Sequence, residues 1–304
     1  QSSYIEQIRF FKKLRSFDYI LLICIISIVI ISIFSMYSTD GGELLHHSKS
    51  HIIRFVVFFS MMIGLSFLNI RFWHSIGYLF YIIVLGFLVW ALFYGITASG
   101  SQRWISLYFI NLQPSELMKI AIIIFYAKFY HRMQISNINN FTNLLIPIAI
   151  LILPILLVAS QPDLGTAILI ALSGLGALWL AGLHVKYFVF SSLAFLVSMP
   201  FIVSFLEPYQ KLRVLIFFNP ERDPLGAGYQ IIQSKIAVGS GGLTGKGFLK
   251  GTQSYLEFLP EKHTDFIFTL FSEEHGFTGS VIILLIYAIM VFRILKIGAN
   301  ARSF

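Results

Sequence analysis

Apolar residues in this chain come in long, nearly unbroken blocks rather than at helical or alternating spacing. Eight blocks approach twenty residues: Tyr19–Tyr37, Ile52–Leu68, Ile76–Tyr94, Ser115–Tyr130, Leu144–Val158, Thr166–Leu183, Phe188–Leu206 and Phe277–Ile297. A helix needs roughly 20 apolar residues to cross the hydrocarbon core of a bilayer. The pattern therefore predicts an all-α, polytopic membrane helix bundle of about eight spans, formed as one membrane domain over residues 1–304. The fourth and fifth blocks are short, and the fifth carries Pro147 and Pro154. Proline kinks a helix, and membrane bundles tolerate it where neighbours satisfy the freed backbone groups. The first block is too long for a signal-peptide core and lacks a small-residue cleavage site, so it reads as a retained span.

One connection stands apart. Residues 207–265 are far longer than ordinary connections, most of which run about 4–6 residues. The segment holds Phe217, Phe218, Tyr229, Tyr255 and Phe258, and Ile232 and Ile236 stand at helical spacing within Tyr229–Val238. It is expected to be an ordered cap. Basic residues set the orientation. With the N-terminus in the cytoplasm, the inside segments hold Arg9, Lys12, Lys13, Arg15, Arg71, Lys128, Arg132, Lys186, Arg293, Lys296 and Arg302. The short outside segments hold Lys49, Arg54 and Arg103. Both ends are then cytoplasmic and the long connection is extracytoplasmic.

Composition agrees with the blocks: 57% hydrophobic residues, 12% charged and a mean hydropathy of +0.80, against about 25% charged in a soluble domain. The formal net charge of +8 would suggest nucleic acid in a soluble protein. Here the basic residues lie between apolar blocks, so topology accounts for them and no nucleic-acid partner is expected. Cys24 is the only cysteine, which excludes an internal disulfide or a thiolate metal site and reads as a small packing residue.

Charges inside or beside such blocks are costly and mark candidate function. Glu116 and Lys119 stand at i,i+3 on one helix face, behind Pro114 at a helix start that Asn111 or Ser115 would cap. They form either an internal ion pair or the polar wall of a cavity. Asp163 opens a helix in Gln161-Pro162-Asp163-Leu164-Gly165-Thr166 and reads as a cap or as a carboxylate at a cavity mouth. Trp104 suits a membrane boundary, and Arg103 beside it suits a phosphate. The stretch Gly239 to Gly247 resembles a phosphate loop but fails its pattern at Ser240 and Gly247, leaving a flexible turn or a backbone cradle for a phosphate. The densest cluster is Glu257 to Phe268, where Asp265 precedes the apolar Phe266-Ile267-Phe268. A carboxylate at such an edge is expected to be partly desolvated, which raises its pKa and suits a general base. Glu273 and Glu274 follow.

These motifs carry a resemblance. Asn219 to Gln230, Gln233-Ser234-Lys235-Ile236-Ala237, Gly239 to Gly247, Leu259 to Phe268, Gln113-Pro114-Ser115-Glu116 and Gln161 to Thr166 resemble the SEDS family. The run from Gly251 to Lys262 is closer to its elongation, RodA-type branch than to its division branch. The resemblance implies a peptidoglycan glycosyltransferase that polymerises lipid II outside the cytoplasmic membrane, for cell elongation and shape. It would work with a class B penicillin-binding protein and other elongation-complex membrane proteins, among membrane lipids. It implies Asp265 as the essential outer-loop residue, and Arg103, Trp104, Glu116, Lys119, Asp163, Lys235 and His263 as cavity-lining positions. It also implies ten spans, of which this sequence carries the first eight. As general base, Asp265 would deprotonate the acceptor sugar. Charge on the leaving pyrophosphate would be met by Arg103, Lys119, Lys235, Lys246 or a divalent cation, Mg or Mn, with Asp265 as its ligand in the alternative reading. A lipid-linked precursor transporter and a noncatalytic cell-wall scaffold are the competing classes.

Overall fold

The structure is a computed structural model that describes residues 17–98, 101–106, 111–131, 133, 138–206, 208–226, 228–252 and 263–300. Gly100, the run 253–262 with Tyr255, Glu257 and Phe258, and the basic residues Arg9, Lys12, Lys13, Arg15, Arg132 and Arg302 lie outside the described residues. Helices α1 (Tyr19–Thr39), α2 (His46–Ser66) and α3 (Ile70–Tyr94) lead into short strands β1 (Ile96–Ala98), β2 (Ser101–Ser106) and β3 (Asn111–Leu112). Next come α4 (Pro114–Tyr130), α5 (Phe141–Ser160), α6 (Leu164–Leu180), α7 (Val185–Phe205), α8 (Pro208–Phe218), a 3-10 turn (Pro220–Arg222), α9 (Tyr229–Ser240) and α10 (Ile267–Ala299).

Helices occupy all eight predicted blocks. Five of these segments, Tyr19–Thr39, His46–Ser66, Ile70–Tyr94, Thr142–Ser160 and Ile267–Ala299, are long and apolar enough to cross a membrane by themselves. Exposed large apolar side chains such as Ile53, Trp90, Leu156, Phe190 and Phe292 run along the helices, far beyond the few hundred Å² of apolar patch usual on a soluble monomer. Two features depart from the sequence reading. A three-stranded antiparallel sheet, β1-β2-β3, interrupts the all-helical pattern. The last helix also begins at Ile267 rather than Phe277. Its first segment is polar in sequence because Ser272, Glu273 and Glu274 are buried against protein.

The chain divides into two compact units, one of residues 68–200 and one of residues 1–67 with 201–303. In the first, α3, α4, α5 and α6 share one core. Tyr81, Val84 and Leu88 recur at i,i+3 and i,i+7, as do Met118, Ala121, Ile122 and Phe125, facing Leu144, Leu151, Val158, Ala167, Ile170 and Leu178. Pro154 has no N–H for the carbonyl of Ile150, one turn earlier. The Tyr81 hydroxyl donates to that oxygen at 2.8 Å, so the proline costs no unsatisfied buried carbonyl. In the second unit α1 packs against α2 and along α10, and α9 lies on α10. Cys24 is buried there, as its small size suggested. Arg293 Nε donates to both carboxylate oxygens of Asp18, at 3.2 and 3.0 Å, while Asp18 Oδ1 also caps α1 through Leu21 N–H at 3.0 Å.

Candidate functional site

In residues 68–200 the polar centre is Asp163, the N-cap of α6. Its Oδ1 accepts from Thr166 N–H at 3.2 Å and its Oδ2 from the Thr166 hydroxyl at 2.9 Å, so the expected cap is present. The same carboxylate pairs with Arg103 Nη1 at 3.0 Å and accepts from Gln113 Nε2 at 3.0 Å. The sheet sets this geometry. The antiparallel register Ile96↔Trp104 and Ile105↔Leu112 fixes Arg103 and the half-buried Trp104 on β2, and β3 leads directly to Gln113 before α4. Arg103 Nε and Ser115 Oγ are buried without a hydrogen-bond partner among the described residues. The expected Asn111 or Ser115 cap of α4 is not formed. Gln113 occupies the cap position and makes no side-chain cap bond, because its amide is turned to Asp163. Glu116 and Lys119 pair at 2.8 Å, with the Glu116 side chain 55% exposed.

The other unit holds a second polar centre. At Gly276, φ 65 and ψ −161 break α10. The Gly-rich stretch lies across that break: Lys246 N–H donates to Glu273 O at 3.0 Å and Gly247 N–H to Glu274 O at 2.9 Å. Phe277 N–H donates to Gly242 O at 2.9 Å and Thr278 N–H to Leu243 O at 3.1 Å. A Cβ on Gly245 would lie 2.0 Å from Glu274 O, and one on Gly276 2.3 Å from Gly245 N. The loop is therefore fitted to the helix break, and the backbone donors of Lys246 and Gly247 are already engaged there. Glu273, 0% exposed, accepts from Lys246 Nζ at 2.6 Å, Thr252 Oγ1 at 2.8 Å and Thr252 N–H at 3.0 Å. Glu274 accepts from the Ser38 hydroxyl.

Near the end of α1, Thr39 Oγ1 donates to Met36 O at 2.8 Å and lies within hydrogen-bond distance, 3.0 Å, of His263 Nδ1. The His263 ring stacks on His47 with centroids 4.1 Å apart, and Nδ1 lies 3.7 Å from Asp40. Asp265 follows in the turn before α10 and is exposed. The partial burial expected from its apolar neighbours is not supplied, because Phe266-Ile267-Phe268 turn into a helix start instead of covering it. Lys235, on α9, is exposed as well. Among the predicted residues, then, contacts join Arg103 to Asp163 and Glu116 to Lys119. Lys246 joins Glu273. Sequence reasoning missed Glu273, Thr252, Ser38 and Asp40 as partners. The signal available for the first was a pair of carboxylates beside a glycine within a long apolar segment.

A mostly helical, multi-pass membrane protein with ion-paired carboxylates at its helix starts and breaks is the class this architecture defines. The sequence model of the FtsW/RodA/SpoVE cell cycle proteins matches residues 11–304, and the chain belongs to that family. It is 47% identical over 224 residues to the peptidoglycan glycosyltransferase MrdB of Escherichia coli K12, covering 73% of this chain and 60% of that one. It is 32% identical to the probable peptidoglycan glycosyltransferase FtsW of Tolumonas auensis, covering 91% of this chain and 71% of that one. The chain thus spans about 60% of the length of the curated MrdB relatives it matches. Among solved structures, a chain from "Structural coordination of polymerization and crosslinking by a peptidoglycan synthase complex" superposes with a TM-score of 0.79 at 24% identity, covering 95% of this chain and 80% of that one. The Thermus thermophilus rod shape determining protein RodA superposes at 0.67 and 20% identity, over 95% of this chain and 77% of that one. At these identities the likeness establishes the fold.

Proposed function

We propose that the chain belongs to a peptidoglycan glycosyltransferase that polymerises lipid II at the outer face of the bacterial cytoplasmic membrane. The observation that carries this reading is the 47% identity to a relative of that name. In this reading the two units act as one membrane domain, and the Lys and Arg bias puts both ends in the cytoplasm. A class B penicillin-binding protein is the partner, supported by the likeness to a chain from a peptidoglycan synthase complex.

Asp265 is the base. Its exposure in the turn before α10 leaves it reachable by a sugar hydroxyl. The carboxylate takes the proton of the acceptor 4-hydroxyl as that oxygen bonds to the donor's anomeric carbon, opposite the lipid pyrophosphate. The bond from the anomeric carbon to the phosphate oxygen breaks, its electron pair leaves with the pyrophosphate, and the anomeric centre inverts. The leaving group is already acidic, so no protonating carboxylic acid is needed, unlike in glycoside hydrolases. Developing charge needs fixed cations. Arg103 keeps an unpartnered Nε, Lys235 is exposed, and Lys119 is shared with an exposed Glu116. Trp104, Glu116 and Asp163 in residues 68–200, and His263 in the other unit, are the further positions assigned to substrate. Lys246 is assigned instead to Glu273.

A Mg or Mn ion would take Asp265 as a ligand and supply charge stabilisation to the pyrophosphate. Among the described residues no three His, Cys, Asp or Glu side chains gather to hold a metal. Asp265 is the residue that would hold it, and no step is routed through it.

The test is the full-length protein in liposomes with labelled lipid II presented on one side. Glycan strands formed without movement of label across the bilayer support the reading. Translocation without strands identifies a transporter, and neither activity identifies a scaffold; both overturn it.

A further inference from the structure

Glu273 is a fully buried carboxylate that the chemistry above does not use. Burying a charge costs several kcal/mol unless it is paired and hydrogen-bonded, and here Lys246 and Thr252 supply three donors to one oxygen. The position matters. The break at Gly276 separates Ile267–His275 from the rest of α10. Four backbone bonds to the loop 242–247 straddle that break and supply partners that the interrupted helix cannot provide for itself. Ser38, from α1, adds a hold on Glu274. The short helix so fixed begins two residues after Asp265 and is about 13 Å long at 1.5 Å per residue.

We propose that Lys246, Thr252 and Glu273 form a clasp that positions Asp265: by fixing the far end of the Ile267–His275 segment, they set where the carboxylate at its near end stands. These are positioning residues, and the inference rests on the reading of Asp265 as the base. A displacement of about 1 Å can cost on the order of a hundredfold in rate, so releasing the clasp lowers turnover more than binding.

The experiment uses the full-length protein in nanodiscs with its partner present. Lys246→Met is compared with Lys246→Arg, which keeps the charge, and with Thr252→Val, which keeps the ion pair. The expected result for Lys246→Met is a kcat lower by about 10- to 100-fold with KM changed by less than about threefold. Lys246→Arg should recover to within about threefold and Thr252→Val should lose about fivefold. A second readout needs no turnover. Nitroxides at Asp265→Cys and Ser60→Cys, in a Cys24→Ser background, should give a distance distribution that broadens on adding Lys246→Met or Thr252→Val. An unchanged distribution, or kcat unchanged per folded molecule in Thr252→Val, overturns the clasp even if Lys246→Met fails to fold. Wild-type turnover by Asp265→Asn would sink the base assignment instead, while leaving the distance measurement meaningful.

Discussion

Asp163 and Glu273 are both buried carboxylates paired with a basic side chain, yet each answers a different helix defect. Asp163 stands before a helix, where free N–H groups favour a negative charge, and its donors come from the helix itself, from Arg103 and from Gln113. Glu273 stands just ahead of a break inside a helix, and Lys246 and Thr252, from a loop distant in sequence, donate to it. Asp163 would keep several donors if its cation were removed. Removing Lys246 would cost Glu273 its ion pair with that residue while leaving the two Thr252 donors. The first network is thus a reinforced cap. The second is a closed structural joint.

The largest expected effect follows from that asymmetry. Lys246→Met should destabilise by about 3 kcal/mol, as for a buried pair that loses one partner. Arg103→Met should cost only about 1 kcal/mol, because hydrogen bonds to a charged group persist. Thermal unfolding of the two variants in the same detergent checks this, and equal costs would dissolve the distinction. Next is Gly276→Ala, expected to cost about 2–3 kcal/mol from positive φ and from crowding of Gly245. Gly165→Ala meets open space near the start of α6 and should gain about 0.5–1 kcal/mol. Glu116→Gln, at an exposed ion pair, should move stability by less than about 1 kcal/mol, so a loss of polymerisation there would reflect substrate contact.

The smallest effect is at Asp18. The hydrogen bond from Arg293, then that from Leu21 N–H, holds its carboxyl below the usual range. The folded-state pKa is depressed, so the contribution is present above the unfolded value near 3.9 and is lost as pH falls through the folded value. The melting-temperature gap between wild type and Asp18→Asn should therefore be flat near neutrality and narrow below about pH 4.

The helices were legible because lipid-facing segments must be apolar all round, and the eight blocks need no tertiary information. Local pairs were legible too: Asp163 with Thr166, and Glu116 with Lys119, lie within one turn. Contacts across 27 residues, as between Lys246 and Glu273, leave no periodic trace. The start of α10 at Ile267 was hidden for the same reason, since Ser272 to His275 break the apolar block although Ser272, Glu273 and Glu274 are buried. The glycines 239–247 looked like a ligand loop because a backbone cradle and a close backbone joint demand the same residue.

The most direct measurement is the rate of glycan-strand formation from labelled lipid II by the purified full-length protein with its partner, wild type against Asp265→Asn. A general base contributes about 10²–10⁴ in rate, so the variant should fall by at least about a hundredfold while folding normally. Strands made by Asp265→Asn at the wild-type rate would contradict the account.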